Sequence, residues 1–177
     1  MRLFIAINFD EETKKKLGEA INALKSVSAR GSFTRYDNLH LTLHFIGETD
    51  FVDDAKAVVS EVFGEPFTLK SGNLGRFARR DGDIWWLGLQ KNTRLNTIYH
   101  RLADELLAYG FKVEERKFTP HLTLGRRVIL KSGFVKPALE AKIPYFETEV
   151  RRISLMCSER IDGVLTYTEI YGKNLTD

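Results

Sequence analysis

The 177-residue sequence has little of the chemistry that marks secreted or membrane proteins. Its one cysteine, Cys157, cannot form a disulfide within the chain, and we expect it to be a small buried residue. No window approaches the run of about 18 apolar residues that a membrane-spanning helix needs. The apolar run Leu3–Ile7 is too short for the core of a signal peptide. We therefore expect a cytoplasmic protein that does not bind membranes.

A strong excess of charge of one sign is also missing. The net charge is +3 and the isoelectric point is near 8.9, which is compatible with a nucleic-acid partner without identifying one. Hydrophobic residues make up 43% and charged residues 29%, as in ordinary globular proteins. The length suits a single domain, 1–177, with a real hydrophobic core.

The tetrapeptide His-Leu-Thr-Leu occurs twice, starting at His40 and at His121, which are 81 residues apart (121 − 40 = 81). The same offset relates three other features: Leu3–Phe9 to Ile84–Gln90, Leu17 and Ile21 to Ile98 and Leu102, and Arg35 to Arg116. Each half then reads as an apolar strand, an amphipathic helix and a second strand. The repeat predicts an α+β fold that is duplicated, with two similar lobes, a pseudo-twofold axis and one motif in each lobe.

The remaining segments give weaker patterns. Phe51–Phe63 has the spacing of a helix, and Phe67–Phe77 reads as a strand pair or as a strand plus a turn. Val150–Cys157 and Val164–Tyr171 read as strands joined through Asp162-Gly163, whereas Lys131–Tyr145 fits no single pattern.

The parity of a strand places the two motifs on matching faces. His40 and Thr42 share one face of their strand, as His121 and Thr123 do on theirs, while the leucines between them face the core. A pseudo-twofold axis would bring both polar faces to one cleft. One imidazole can then donate a proton while the other accepts one, and threonine hydroxyls can donate to an oxyanion, which suits the hydrolysis of a phosphate diester.

A metal site is the main competitor for the histidines. His40 and His44 are four residues apart, which is a ligand spacing on a helix. This segment reads as a strand, in which four residues span about 13 Å, too far for one ion to bind both imidazoles. Cysteine pairs and His-Glu clusters are absent from the sequence. We therefore expect no metal and no cofactor.

The sequence resembles the two-histidine phosphoesterase superfamily, in particular its RNA 2′,3′-cyclic phosphodiesterases, which are also called 2′-5′ RNA ligase-like proteins. The similarity covers the whole chain and includes RLFIAI, NLHLTLHFIG, FTPHLTLGR and SLMCSERIDGVLTYTEI. It implies two antiparallel sheets that form a central cleft with helices outside. It also implies metal-independent hydrolysis of a terminal 2′,3′-cyclic phosphate to a 2′-phosphomonoester. His40 would be the proton donor and His121 the proton acceptor, and Thr42 and Thr123 would bind the phosphate.

Arginines and aromatic residues are candidates for contacts with the rest of a substrate. Strict alternation puts Arg127 on the histidine face, whereas a bulge at Gly125 would put Arg126 there instead. Arg35 and Arg116 either flank the cleft or are surface charges. Trp85, Trp86, Phe45 and Phe118 either stack on bases or pack in the core. His44 and His100 have no identifiable partner, and His100 is expected on the solvated side of its helix.

Three functions remain open at this point. The first is an RNA-end cyclic phosphodiesterase, with reverse 2′-5′ ligation. The second is a phosphodiesterase for a small cyclic nucleotide or ADP-ribose cyclic phosphate, and the third is a non-catalytic RNA-binding module. An RNA enzyme should carry basic residues beyond the two histidines, for which the candidates are Arg79, Arg80, Arg126, Arg127, Arg151 and Arg152. We expect a monomer with no obligate protein partner.

Overall fold

The computed structural model describes residues 1–114 and 117–176, which form nine strands and four helices arranged around two antiparallel sheets. The strands are β1 (Arg2–Asn8), β2 (Ser28–Phe33), β3 (His40–Glu48), β4 (Phe67–Phe77), β5 (Asp83–Leu89), β6 (His121–Leu130), β7 (Glu147–Val150), β8 (Arg152–Ile161) and β9 (Val164–Asn174). The helices are α1 (Glu11–Ser26), α2 (Val52–Ser60), α3 (Thr93–Ala108) and α4 (Lys136–Glu140). One sheet has the strand order β3-β1-β8-β9 and the other β2-β6-β5-β4-β7.

The duplication predicted from the sequence appears in the element bounds. β5 covers the residues of β1 shifted by 81 (2 + 81 = 83 and 8 + 81 = 89), and β3 and β6 both begin at a motif histidine. The first helix of each half begins at a side-chain cap: Asp10 accepts from the Thr13 amide at 2.7 Å, and Asn92 accepts from the Leu95 amide at 2.9 Å. The α+β class and the two antiparallel sheets are therefore confirmed.

The first helix of each half packs on the sheet that carries the motif of the other half. α1 lies against β2 and β6 of the five-stranded sheet, whereas α3 lies against β3 of the four-stranded sheet and also contacts α2. The apolar face of α1 buries Leu17, Ile21 and Leu24, as their helical spacing predicts. One contiguous cluster of buried side chains connects both sheets and all four helices. Cys157 belongs to this cluster, so the expectation that it is buried is confirmed.

Some predicted element boundaries were wrong. Phe67–Phe77 is one long strand with a register shift, not a strand pair, and Val150 ends β7, so that β8 begins only at Arg152. The sequence of β2, SARGSF, is mostly exposed and has no apolar alternation, so its strand went unpredicted. The ambiguous segment Lys131–Tyr145 contains the short helix α4. Arg116, the predicted counterpart of Arg35, lies outside the described residues.

No helix in the described part of the chain is long and apolar enough to cross a membrane.

Candidate active site

Both motifs line one cleft. Its volume is about 840 Å³, and its walls include the histidine and the threonine of each motif: His40, Thr42, His121 and Thr123. The first motif lies on β3, at the edge of the four-stranded sheet, and the second lies on β6, inside the five-stranded sheet. The strands β3 and β6 approach each other across the cleft. The structure thus brings together two imidazoles and two hydroxyls that are far apart in sequence.

The leucines of the motifs explain which way the polar side chains point. Leu41 and Leu43 are buried on one side of β3, and Leu122 and Leu124 are buried on one side of β6. The histidine and threonine of each motif are half-buried on the opposite side. The parity prediction is therefore confirmed for both strands.

The two imidazoles are held in the same way. Nδ1 of His40 is 2.7 Å from the carbonyl oxygen of Asn38, and Nδ1 of His121 is 2.7 Å from the carbonyl oxygen of Thr119. The two carbonyls are related by the repeat offset (38 + 81 = 119). Because a carbonyl oxygen only accepts, each Nδ1 carries a proton, and Nε2 holds the lone pair when the ring is neutral.

His40 lies in an apolar, aromatic environment. Its ring centroid is 5.0 Å from that of Phe4 and 5.1 Å from that of Tyr167, with the Tyr167 ring nearly perpendicular at 87°. Burial lowers the pKa of His40, the hydrogen bond to Asn38 opposes this, and the nearby charge of Arg126 lowers the pKa further. The free protein therefore favours a neutral imidazole at this position.

The hydroxyl of Thr42 is already hydrogen-bonded to His40. The distance from Thr42 Oγ1 to His40 Nε2 is 2.9 Å. Since the neutral ring presents a lone pair at Nε2, the hydroxyl donates to it. When His40 is protonated, Nε2–H becomes a donor and the Thr42 hydroxyl is released to donate elsewhere. The protonation of His40 and the availability of the Thr42 hydroxyl are thus coupled.

His121 is enclosed by two aromatic rings from β4 and β5. Its ring is edge-on to Phe77 at 5.4 Å and to Trp86 at 5.8 Å. Trp86 is half-buried and also contacts Phe77 at 5.2 Å, whereas Trp85 is buried in the core beside Phe134. The backbone carbonyl of Thr123 accepts a 2.6 Å hydrogen bond from the Thr34 hydroxyl, which ties the second motif to the segment after β2.

A bulge recurs at the same repeat position in both motif strands. In β3, Leu43 is the extra residue between the pairs Ala6–Thr42 and Ile5–His44. In β6, Leu124 is the extra residue between the pairs Trp86–Thr123 and Trp85–Gly125, and 43 + 81 = 124. A bulge reverses the alternation of faces beyond it. As a result, His44 and Gly125 are both buried, His44 in the wall of the cleft.

The bulge decides between the two candidate arginines. Arg126 follows Gly125 and lines the cleft, whereas Arg127 is not among the lining residues. Arg127 has a left-handed backbone conformation, with φ of 52°, within a second register irregularity between Gly125 and Val128. The alternative in which Gly125 marks a bulge is the one that the structure adopts.

Basic side chains surround the cleft. Among the described residues its lining includes five basic side chains and one carboxylate, Glu114; the basic ones are Arg2, Arg35, Arg79, Lys117 and Arg126. Of the six arginines proposed from the sequence, Arg79 and Arg126 therefore lie at the cleft. Arg151 pairs with Glu149 and Arg152 with Glu169, and neither they nor Arg80 line it. The imbalance of charge favours an anionic ligand.

Sequence reasoning missed several residues that shape this site. Tyr167 lies on β9 and reaches His40 only because β8 and β9 join the first sheet. Asn38 and Thr119 orient the imidazoles through their backbone carbonyls. Each lies two residues before a motif histidine, so the repeat offset of 81 residues already related the two positions in the sequence. Phe45 lines the cleft with 49% of its surface exposed, while Phe118 also lines it, stacked on Tyr99.

The other two histidines have separate environments. His44 is buried, and its Nε2 donates to the carbonyl of Tyr99 at 2.8 Å, so it has a partner that the sequence did not reveal. His100 is exposed on α3, as expected. Across residues 1–114 and 117–176, no group of three or more histidine, cysteine or acidic side chains is arranged to hold a metal ion.

Comparison with known proteins agrees with the geometry. The family model of the 2′-5′ RNA ligase superfamily matches residues 13–162. The RNA 2′,3′-cyclic phosphodiesterase of Thermotoga maritima is 35% identical over 165 residues, which cover 89% of this chain and 87% of that protein. The protein of the same name from Methanocaldococcus jannaschii is 30% identical over 159 residues, or 88% of this chain and 90% of that one.

The structure of Escherichia coli LigT complexed with 3′-AMP is also similar, with a TM-score of 0.78 and 25% identity, covering 99% of this chain and 98% of that chain. The matches span both motifs and nearly the full length of the sequence. The resemblance inferred from the motifs is therefore confirmed, and the chain belongs to the 2′-5′ RNA ligase superfamily.

Proposed function

We propose that the protein is an RNA 2′,3′-cyclic phosphodiesterase, a hydrolase that converts a terminal cyclic phosphate to a 2′-phosphomonoester without a metal ion. The observation that carries this proposal is the pair of imidazoles, each held through Nδ1 by the carbonyl two residues before it, lining one cleft rich in basic side chains. The names of the relatives in Thermotoga maritima and Methanocaldococcus jannaschii support the same reaction.

The reaction needs one proton acceptor and one proton donor. His121 accepts a proton from water as the water oxygen attacks phosphorus. The bond between phosphorus and the 3′ oxygen breaks, and His40 gives its proton to that oxygen. The products are a 2′-phosphate and a free 3′ hydroxyl, and the two histidines end in exchanged protonation states. Each proton transfer typically contributes about 10²- to 10⁴-fold in rate.

The donor role of His40 requires that the substrate change its protonation. Burial lowers the pKa of this imidazole in the free protein. A bound phosphate places a negative charge beside the ring, which favours the imidazolium and opposes the effect of burial. The proton on Nε2 then points at the substrate, and the released Thr42 hydroxyl donates to a phosphate oxygen. Binding of the substrate phosphate and protonation of His40 are thus coupled.

Thr123 and Arg126 complete the proposed phosphate site. Both line the cleft on the β6 side, opposite Thr42. Hydroxyl and guanidinium donors can stabilise the negative charge that grows on the non-bridging oxygens in the transition state. Arg127 is not given a contact with the phosphate, because it does not line the cleft.

An RNA end is favoured over a free cyclic nucleotide as the substrate. The basic side chains lie at several points of a cleft of about 840 Å³, which suits a chain with more than one phosphate. Both histidines come from one chain, so a monomer holds a complete site. The same acid and base would serve reverse 2′-5′ ligation. We also propose a cytoplasmic location, in keeping with a single buried cysteine that has no disulfide partner.

The test uses an RNA oligonucleotide with a terminal 2′,3′-cyclic phosphate, in EDTA, with the 2′- and 3′-phosphate products resolved. Wild type should form the 2′-phosphate alone. His40→Ala and His121→Ala should each lose at least about 100-fold in kcat. His100→Ala, which changes an exposed histidine on α3, should keep wild-type activity. Turnover that disappears in EDTA and returns with a divalent ion would refute the metal-free reaction.

A second substrate separates the two histidine roles. When sulfur replaces the 3′ oxygen of the cyclic phosphate, the leaving thiolate is stable without a proton and needs no acid. His40→Ala should therefore recover activity on this substrate, whereas His121→Ala should not. Recovery by His121→Ala instead would reverse the assignment. Faster cleavage of a mononucleoside 2′,3′-cyclic phosphate than of RNA would favour the small-substrate alternative.

A further inference from the structure

Three aromatic rings form a column beside the cleft. The ring of His44 stacks on that of Tyr99 with centroids 4.1 Å apart and planes 20° apart. Tyr99 in turn stacks on Phe118, with centroids 3.9 Å apart and planes 11° apart. The rings come from β3, from α3 and from the irregular segment before β6, so the column crosses from the strand of the first motif to the approach of the second.

The His44 end of the column is fixed. The bulge at Leu43 turns His44 inward, where only 4% of its surface is exposed. Its Nε2 donates to the backbone carbonyl of Tyr99 at 2.8 Å, which sets the ring plane and the tautomer. This carbonyl lies within α3, so the hydrogen bond also ties β3 to the helix.

The Phe118 end of the column meets the second motif. Phe118 precedes Thr119, whose carbonyl accepts from Nδ1 of His121 at 2.7 Å. Within the described parts of the chain, residues 117–119 make no backbone–backbone hydrogen bond. On the other side of Thr119, the Pro120 carbonyl accepts a 3.3 Å hydrogen bond from the Leu89 amide. The stack of Phe118 on Tyr99 is the described ring contact that holds the chain immediately before Thr119.

We propose that the column formed by His44, Tyr99 and Phe118 is a positioning device for His121. This inference rests on the proposed function, because it assigns the column the task of aiming the proton acceptor. The three residues act through the Thr119 carbonyl and do not act on the reacting atoms themselves. Through the column, His44 on the strand of the first motif helps to orient the imidazole of His121 in the second motif.

Breaking the column should affect the rate of the chemical step and not the binding of the substrate. If the column is broken, Thr119 shifts, the Nδ1–H hydrogen bond weakens and Nε2 of His121 no longer points steadily at the attacking water. The groups proposed to bind phosphate lie on β3 and β6 and keep their places. A misplacement of about 1 Å in such a group costs about 100-fold in rate. We therefore expect kcat to fall while KM changes little.

The test compares three variants. Phe118→Leu and His44→Leu each remove one ring from the column, whereas His44→Phe keeps a ring and loses only the hydrogen bond. We expect kcat to fall about 10- to 100-fold for Phe118→Leu, less for His44→Leu, and least for His44→Phe. The control is Val59→Ala, which opens a buried site in α2, a helix that contributes no ring to the column. It should lower thermal stability without changing kcat at a temperature where it is folded.

A second readout needs no turnover. Long-range ¹H–¹⁵N NMR spectra report which ring nitrogen of His121 carries the proton. Wild type should show the Nδ1–H tautomer, and Phe118→Leu and His44→Leu should show a mixture. Unchanged His121 spectra in both variants, or a kcat no lower than that of Val59→Ala, would overturn the proposal. If wild type fails to cleave the cyclic phosphate, the proposed function fails, and the spectra still decide whether the column orients His121.

Discussion

Replacing Thr42 by valine tests the coupling between the first threonine and its histidine. Valine has the shape of threonine and suits a strand, so β3 should keep its packing. The change removes only the hydroxyl that lies 2.9 Å from Nε2 of His40. In the proposed reaction that hydroxyl donates to a phosphate oxygen once His40 is protonated, and valine leaves that oxygen without its donor.

The size of the effect follows from the kind of hydrogen bond that is lost. A hydrogen bond to a charged group is worth about 1.5–3 kcal/mol. Since about 1.4 kcal/mol corresponds to a factor of ten, kcat/KM should fall by about 10- to 150-fold. The loss should be smaller than that of His40→Ala, because the proton donor itself remains. Folding stability should stay within about 1 kcal/mol of wild type, because the hydroxyl is only half-buried.

The assay is the initial rate of 2′-phosphate formation from the cyclic-phosphate oligonucleotide, measured below KM so that it reports kcat/KM. Thr42→Ser keeps the hydroxyl and should retain activity within a few-fold, which separates the loss of the donor from a change in packing. If Thr42→Val keeps more than a third of the wild-type kcat/KM, the hydroxyl does not bind the phosphate in the transition state and the coupling is wrong.

Three other perturbations have directions set by the structure. Arg126→Ala should lower kcat/KM about tenfold and weaken the dependence of kcat/KM on salt. Arg127→Ala should change neither, because Arg127 does not line the cleft. Equal losses in the two variants would show that the bulge does not select Arg126 for the cleft. In Gly75→Ala the new Cβ would overlap the indole of Trp86, so we expect about 1–3 kcal/mol less stability in urea denaturation, and an unchanged midpoint would contradict this packing. Burial lowers the pKa of His44, so its stabilising effect is complete above the unfolded-state pKa of about 6.5 and is lost as pH falls through the folded-state value. His44→Phe should therefore flatten the fall of Tm between about pH 7 and pH 5, and a slope equal to that of wild type would show that His44 does not contribute.

The repeat made most of the site predictable. One offset of 81 residues relates β1 to β5 and His40 to His121, and the leucines on either side of Thr42 and Thr123 indicate which face is buried. These patterns are local to one strand. When one face of a strand is buried, the polar side chains between the buried residues must lie on the other face.

The bulges mark where local patterns stop being sufficient. Alternation predicts the motif faces up to Thr42 and Thr123, and one extra residue at Leu43 and at Leu124 then reverses it. Gly125 hinted at the second bulge because glycine in a strand often marks one, but His44 gave no such signal in the first. The partner of His44, Tyr99, lies 55 residues away on α3. A pattern within one strand cannot predict a contact between residues so far apart in the sequence.

The order of strands in the first sheet has a consequence for how the protein is made. β1 and β3 lie beside β8 and β9, so nearly the whole chain must leave the ribosome before this sheet is complete. Until then Tyr167 is missing, and His40 lacks part of the apolar surroundings that keep it neutral. The strand bearing the first histidine can therefore reach its final environment only late in synthesis, and pairings so distant in sequence slow the folding of the whole chain.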